Sequence, residues 1–388
     1  MPDQNRLRRC SHKHRVFILS DISNEPDDAE SLVRLLVYGN EFDIQGLVAC
    51  TSTWMQNNVH PEDMHRIVQG YAKVVDNLNS HVHLDNQYPS SEYLQSIIKA
   101  GPACYGRLAL AANVPLSEGA ALLSDRLEAS EHPLWVLCWG GTNVIAQALQ
   151  YIDRTKPHIA AQLRSRLRVY AISDQDDTGM WIRVNYPDIF YICSVHEWKE
   201  YGMAAWVGIS GDLLMPLDEG GPDGTKVTKT WLKEHIQIGP LGREYPDYSF
   251  IMEGDTPTLL YLIQNGLGSP ENPHWGSWGG RYVLGDLGGA AKHYMDARDT
   301  VVGKNGSKFT SNQATIWRWR DAFQNDFAAR MQWTLSNDLS KANHAPVVIV
   351  NDSAAGPEPL FLEAEAGADI TLDASKSYDP DGDHLSFN

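Results

Sequence analysis

Nowhere does the sequence contain the roughly 18 consecutive apolar residues that a membrane-spanning helix requires, so no membrane partner is expected. Residues 1–14 begin with basic side chains, but no apolar stretch follows them, and the secretion-signal pattern is absent. Positive charge is scarce: 32 Lys and Arg stand against 49 Asp and Glu, for a net charge of -17. The basic residues are also scattered. Nucleic acid is therefore excluded as an expected partner, because phosphate binding needs clustered cations. A cation or a neutral polar ligand fits the balance better. Cysteine is sparse too: there are five, an odd number, without metal-ligand spacing. Cys50 and Cys138 fall inside apolar runs, where a small buried thiol is the ordinary reading, and the redox compartment stays open.

What the chain does contain is enough apolar material for a large core, 43% of 388 residues. Short runs rich in Val, Leu and Ile predict strands at 14–21, 43–52, 134–141 and 167–174. They are continuous rather than alternating, as in strands covered on both faces. Helical patterns lie between them at 27–39, 61–79, 91–99, 117–130 and 142–166. Asn24-Glu25-Pro26 opens the first of these, and Ser117 with Glu118 opens the fourth. The alternation predicts an α/β fold: a mostly parallel open sheet with helices on both faces, plus a small C-terminal β segment. In such sheets the ligand crevice lies beyond the carboxyl ends of the strands. All four strand ends are polar here, and two are strongly acidic: Asp21 to Asp28, and Asp174 to Asp177.

The stretch SDISNEPDDAESLVRLL (20–36) sets five acids, Asp21, Glu25, Asp27, Asp28 and Glu30, directly behind the first buried strand. Carboxylates crowded together either raise one another's pKa or recruit a cation. Oxygen-only donors suit Ca²⁺ or Mg²⁺ rather than Zn²⁺. The plainer alternative is a solvated loop whose acids complement the positive end of the following helix.

The order of strand, acidic loop ending in Asp-Asp, helix, then GLVACTSTW (46–54) on the next strand resembles the calcium-dependent nucleoside hydrolase superfamily. That superfamily opens with Asp-x-Asp-x-Gly-x-Asp-Asp. The segment around WGGTNVIAQAL (139–149) is similar to its Thr-Asn loop and helix, RVNYPDIFYI (183–192) to its Asn-containing segment, and EGDTPTLLYLI (253–263) to its His-Asp-Pro segment. Together with WGSWGGRY (275–282), these features look closest to the nucleoside hydrolase-like domain of proteins described as cellulose-binding. The resemblance spans roughly 14–290.

It implies Ca²⁺, with Mg²⁺ as the alternative, held by Asp28 and Asp255, a backbone carbonyl near Gly141 or Thr142, and Asp21. It further implies sugar hydroxyls gripped by Asp27, Asn143 and Asn185, with Asn24, Trp139 and Trp278 as further substrate contacts. Ser23 stands at the family's second Asp, which is both a calcium ligand and the water-activating base, and a serine hydroxyl cannot replace that base. Glu25, two positions on, is the candidate to take over, with Asp27 beside it in the catalytic set. The family's His before the distal Asp is Gly254 here. The resemblance thus implies a calcium-dependent hydrolase of a glycosidic or N-glycosidic bond in a carbohydrate-type substrate. A non-catalytic carbohydrate-binding protein on the same scaffold is the alternative.

Twelve Trp and sixteen Tyr supply aromatic surface, with Trp54, Trp139, Trp181, Trp275 and Trp278 near strand ends or in Gly-rich loops. Residues 296–335 end in a helical pattern carrying Trp317, Phe323, Phe327 and Met331, expected to close the main domain. Residues 1–13 are expected as a disordered tail, 14–343 as the α/β domain, and 344–388 as a partial β-sandwich or strand appendage. The start of that last segment resembles an immunoglobulin-like polycystic-kidney-disease module. DPDGDH (379–384) reads as a polar turn rather than a calcium loop. A carbohydrate enzyme with such a module is expected to be secreted or periplasmic with its signal absent or removed. A cytoplasmic location and a homo-oligomer both stay open.

Overall fold

The computed structural model describes residues 3–10, 12–196, 201–286, 292–354 and 360–387. Its centre is an eight-stranded sheet built from β1 (His14–Ser20), β2 (Phe42–Ala49), β3 (Ile98–Ala100), β4 (Leu134–Cys138), β5 (Leu167–Ala171), β6 (Phe190–Cys193), β7 (Tyr282–Asp286) and β8 (Lys292–Asp296). The order across the sheet is β3-β2-β1-β4-β5-β6-β8-β7, and every neighbouring pair is parallel except β7 with β8. Strand order reverses between β1 and β4, so the crevice expected at a topological switch point opens beyond Ser20 and Cys138.

The continuous apolar runs are explained by burial on both sides. Along β1, Val16 and Ile18 enter one hydrophobic core, while Phe17 and Leu19 enter a second core on the opposite face. Helices Pro26–Val37 and Pro61–Tyr71 cover the first core; Glu118–Glu128 and Asn143–Thr155 cover the second. Gly46 lies directly under Phe17, whose ring would stand 2.2 Å from any Cβ at that position, and the β1–β2 register slips beside this contact.

Two long predicted helices are broken. Residues 142–166 divide into Asn143–Thr155 and Ala160–Arg166, because Pro157 disfavours helical backbone at Lys156. Residues 61–79 divide into Pro61–Tyr71 and Val75–Ser80, and the end of the 91–99 pattern becomes the short strand β3. The helix Arg320–Trp333 buries Phe323, Phe327 and Met331, and so closes the first core as expected. Among the described residues no helix is long and apolar enough to cross a membrane.

Residues 3–10, expected as part of a loose tail, are packed down. Leu7 and Cys10 are buried, the Cys10 N–H donates to Asn86 Oδ1 at 2.8 Å, and Arg8 pairs with Glu41 at 2.8 Å. Toward the C-terminus one small antiparallel pair forms, Ile349–Val350 with Ser353–Ala354. Residues 360–387 hold no strand, and their apolar side chains Phe361, Ile370, Leu372 and Phe387 lie exposed with no facing sheet to cover them. The 379–384 segment is a polar turn in which Asp379 Oδ1 accepts from the N–H groups of Asp381, Gly382 and Asp383. All five cysteines carry free thiols.

Candidate metal and carbohydrate site

The loops beyond β1, β2, β4 and β5 are stitched to one another. The Gly141 N–H donates to the Thr51 carbonyl at 2.9 Å, and the Thr53 N–H to the Gln175 carbonyl at 2.6 Å. The first of these loops leaves β1 through Ser20, whose hydroxyl donates to Asp28 Oδ1 at 2.5 Å. Ser23 then adopts a left-handed backbone, φ 80°, which costs strain in a residue bearing a Cβ. That turn directs the Ser23 hydroxyl outward to the Asp63 carboxylate. The residue standing where a base was expected is therefore engaged elsewhere.

Glu25 takes the N-cap position of helix Pro26–Val37 yet makes no cap hydrogen bond with its side chain. Pro26 at N1 and Asp27 and Asp28 in the first turn follow the ordinary rules for a helix start, with both carboxylates at the positive end of the helix dipole.

The third carboxylate comes from 227 residues away in sequence, and its loop is fixed by a buried network. Glu253, itself at φ 55°, accepts from Arg34 Nε at 2.5 Å and from the Tyr245 and Thr256 hydroxyls at 2.7 Å each. Thr258 donates to the Asp255 carbonyl and accepts from Trp139 Nε1, both at 2.8 Å. As a result, carboxylate oxygens of Asp27, Asp28 and Asp255 lie within 4.8 Å of one another, all buried. Among the described residues no Lys, Arg or His pairs with any of them, and Asp255 Oδ2 is buried without a hydrogen-bond partner. Three buried oxygen donors and one orphaned lone-pair site are what a hard divalent cation would satisfy, so the donor set fits Ca²⁺, or Mg²⁺ with its tighter shell.

The electrostatics agree with a missing positive charge. Burial, then the charges of Glu25 and Asp21, raises Asp27 to about 8. Burial raises Asp21 to about 6 against a hydrogen bond from Ser52. Asp28 and Asp255 are lifted well above the usual carboxylate range by burial and by the neighbouring acids. Glu25 is raised by burial.

These acids form the floor of a cavity of about 580 Å³ that Trp139 also lines, with Trp54, Tyr201, Trp206 and Phe250 around it. Asp21 belongs to this floor but not to the three-oxygen group; it packs against Gly140. Asn24 lies half-buried on the same loop, its N–H donating to the Asp21 carbonyl at 3.0 Å.

Other expected contacts fall elsewhere. The Thr142 carbonyl starts its helix by accepting from Ala146, and its hydroxyl joins Asp176 and Thr178. The Asn143 amide donates to Thr51 Oγ1 and the Cys104 carbonyl, both at 2.9 Å, and does not line the cavity. Asn185 is exposed at the last turn of helix Thr178–Asn185, which runs back toward the start of β6. It therefore stands toward the opposite end of the strands, where it donates to the Trp181 carbonyl. Trp278 packs on the main core rather than lining the cavity.

Asp176, not singled out beforehand, is the organiser of this neighbourhood. Its carboxylate accepts from the Asn143 and Thr178 N–H groups at 3.1 and 2.9 Å, joining two helix N-termini, while burial raises it to about 6. Its signal was the acidic end of β5. Gly254 also acquires a reason: a Cβ there would stand 2.7 Å from Asp27 Oδ2, so no side chain fits between Asp27, Ile251 and Trp206.

Comparison with known proteins places this geometry in context. The family model for the cellulose-binding Sde182, nucleoside hydrolase-like domain matches residues 15–282. A solved nucleoside hydrolase-related hypothetical protein from Saccharophagus degradans, described as associated with carbohydrate metabolism, is 32% identical. It covers 96% of this chain and 84% of its own, with a TM-score of 0.79. An inosine-uridine preferring nucleoside hydrolase from Bacillus anthracis is 12% identical, covers 82% of this chain and all of its own (100%), and has a TM-score of 0.41. A search of curated proteins finds no match.

Proposed function

Because the chain belongs to the cellulose-binding Sde182 nucleoside hydrolase-like family, we propose that its acidic cavity is a calcium-dependent carbohydrate centre that hydrolyses a glycosidic or N-glycosidic bond. The observation that carries this reading is the approach of Asp27, Asp28 and Asp255 to within 4.8 Å without a cationic partner among the described residues. Calcium is the favoured ion for that donor set and magnesium the alternative. Such an ion, when bound, supplies the charge that orients vicinal hydroxyls and acidifies a water.

The chain's own residues divide the remaining work. Asp27, at the cavity surface of the cluster, accepts a hydrogen bond from a ring hydroxyl, and Asn24 offers a further polar contact. Glu25 lines the cavity with no cap bond to occupy it, and burial raises its carboxyl toward the range useful for taking a proton from water. Trp139, Val207 and Ile251 wall the cavity and limit water around the reacting bond. A secreted or periplasmic location suits such a ligand.

A second reading, carbohydrate binding without turnover, is favoured by Gly254, which leaves no room for a proton donor to the leaving group, and by Ser23 being turned toward Asp63. One assay separates the two. Turnover of a glycoside and nucleoside panel with Ca²⁺ is measured for the native protein and for Glu25→Gln, alongside sugar binding by calorimetry. Turnover that disappears in Glu25→Gln while binding persists supports the hydrolase. Sugar binding by a native protein that cleaves no member of the panel leaves only the binding role.

A further inference from the structure

We propose that the cavity is built for at least two sugar rings, one at the carboxylate floor and the next on an aromatic rim formed by Trp54 and Phe250. This inference rests on the carbohydrate reading above. The two ends of the cavity differ in chemistry. The floor carries Asp21, Asp27, Asp28 and Asp255, groups that engage hydroxyls, directly or through a cation. The rim carries the exposed rings of Trp54 and Phe250 with Tyr201 and Met215, which offer flat or apolar surface and few hydrogen bonds, while the buried Trp206 stands beside Asp27.

Trp54 is 44% exposed and Phe250 65% exposed, so the core does not account for either ring, yet both line the same cavity as the buried acids. The Trp54 ring is held in place by its surroundings, and the backbone close to Phe250 is anchored. The Trp54 N–H donates to Ser52 Oγ at 3.1 Å, and the Trp54 side chain shares a hydrogen bond with Tyr201. The Tyr201 ring packs on Trp206 at 5.5 Å between centroids, and Trp206 Nε1 donates to Ser173 Oγ at 3.2 Å. Two residues beyond Phe250, the Met252 backbone is clamped in both directions by the Ser210 hydroxyl, at 3.1 and 2.8 Å. A platform fixed before binding loses little freedom on binding.

A single ring whose hydroxyls reach the floor leaves this rim unused, and the volume of about 580 Å³ has room for more. The ligand that fills both ends is a neutral oligosaccharide whose second ring presents an apolar C–H face, as β-linked glucose units do on either side.

The test is calorimetric titration in Ca²⁺ with glucose, cellobiose, cellotetraose and inosine. The proteins are the native chain, the double variant Trp54→Ala/Phe250→Ala, and Asp255→Asn, with thermal melts to verify folding. Cellobiose and cellotetraose should bind at least about tenfold tighter than glucose. The double variant should lose that advantage while keeping the glucose affinity. Equal affinity for one ring and for several, an advantage that survives the double variant, or tighter binding of inosine than of cellobiose would overturn the two-ring proposal alone. Absence of any sugar binding, or sugar affinities untouched in Asp255→Asn, would overturn the carbohydrate centre and this inference with it.

Discussion

Arg34 and Glu253, 219 residues apart, form a fully buried ion pair with Arg34 Nε 2.5 Å from Oε2 and Nη2 3.0 Å from Oε1. The pair links helix Pro26–Val37, which carries Asp27 and Asp28, to the turn that carries Asp255. Together with the Glu253 N–H bond to Glu30 at 2.8 Å and the Thr256–Ser31 hydroxyl bond at 3.0 Å, it ties the two halves of the carboxylate group to each other. Removing one partner leaves the other charge buried alone, a loss of about 3–5 kcal/mol. Arg34→Met is therefore expected to lower stability by that amount in urea denaturation and to weaken Ca²⁺ binding in the fraction that remains folded. A variant of native stability and native Ca²⁺ affinity would show that the pair does not position Asp255.

The pH response of the metal-free protein has a definite sign. Asp21, at about 6, and Asp27, at about 8, titrate above their unfolded values near 3.8, chiefly because of burial. The native state therefore holds more protons than the unfolded state between about pH 4 and pH 8. Their contribution is fully present below about pH 4 and is lost as pH rises through 6 and 8. Melting temperature in chelator should fall over this window, and Ca²⁺ should recover it most at the alkaline end, where the carboxylates are ionised. Asp255→Asn removes one of the repelling acids, so it should raise the alkaline melting temperature in chelator while abolishing the gain from Ca²⁺.

Gly254 is where this chain departs from the histidine of the nucleoside hydrolases it resembles, and the departure is steric as well as chemical. Gly254→His cannot restore the missing acid, because even its Cβ would meet Asp27 Oδ2 at 2.7 Å. Overpacking of this kind costs about 1–3 kcal/mol. Both Gly254→Ala and Gly254→His are expected to destabilise the protein and to weaken Ca²⁺ binding by displacing Asp27. A gain of nucleoside turnover in Gly254→His would contradict this.

His344 fastens the C-terminal turn to the main body. Its Nδ1 lies 2.9 Å from Asp381 Oδ1, its N–H donates to Asp381 Oδ2 at 2.7 Å, and its ring stacks on Trp333. His344 shares this task with the Val347–Tyr378 backbone bridge and with the Tyr378 hydroxyl, which donates to the Arg6 carbonyl at 2.9 Å, while the apolar side chains around the turn are exposed. His344→Ala should hasten proteolytic cleavage within 360–387 several-fold and leave Ca²⁺ affinity unchanged, as limited proteolysis with mass spectrometry would reveal.

The central half of the sheet and the acids of its first loop are legible in the sequence for a physical reason. Strands buried on both faces must be continuous in Val, Leu and Ile, so β1, β2, β4 and β5 announce themselves, and the residues behind them, Asp27 and Asp28 among them, fall at the crevice. Asp255 is legible only through the resemblance, since its neighbours Asp27 and Asp28 are far away in the chain. The strand β6 has only four residues, and β7 and β8 carry partly exposed side chains, so they leave little periodic trace.

Asn185 shows the limit of carrying a role across by order of motifs. The helix bearing it runs eight residues back from the crevice toward the start of β6, and its last turn leaves Asn185 exposed away from the cavity. The aromatic rim comes largely from the irregular stretch 201–256, where no period exists to reveal which rings face a cavity. Asp176 was visible only as one acid in a run of three, and only its hydrogen bonds to Asn143 and Thr178 separate it from its neighbours.

Calorimetric titration of the chelated protein with Ca²⁺, repeated for Asp28→Asn and Asp255→Asn, bears most directly on whether these distant acids share one ion. The expected result is a single site in the native protein, weakened at least about a hundredfold, some 2.7 kcal/mol, in either variant. A native protein that takes up no Ca²⁺ or Mg²⁺, or variants that bind as tightly as the native chain, would contradict it.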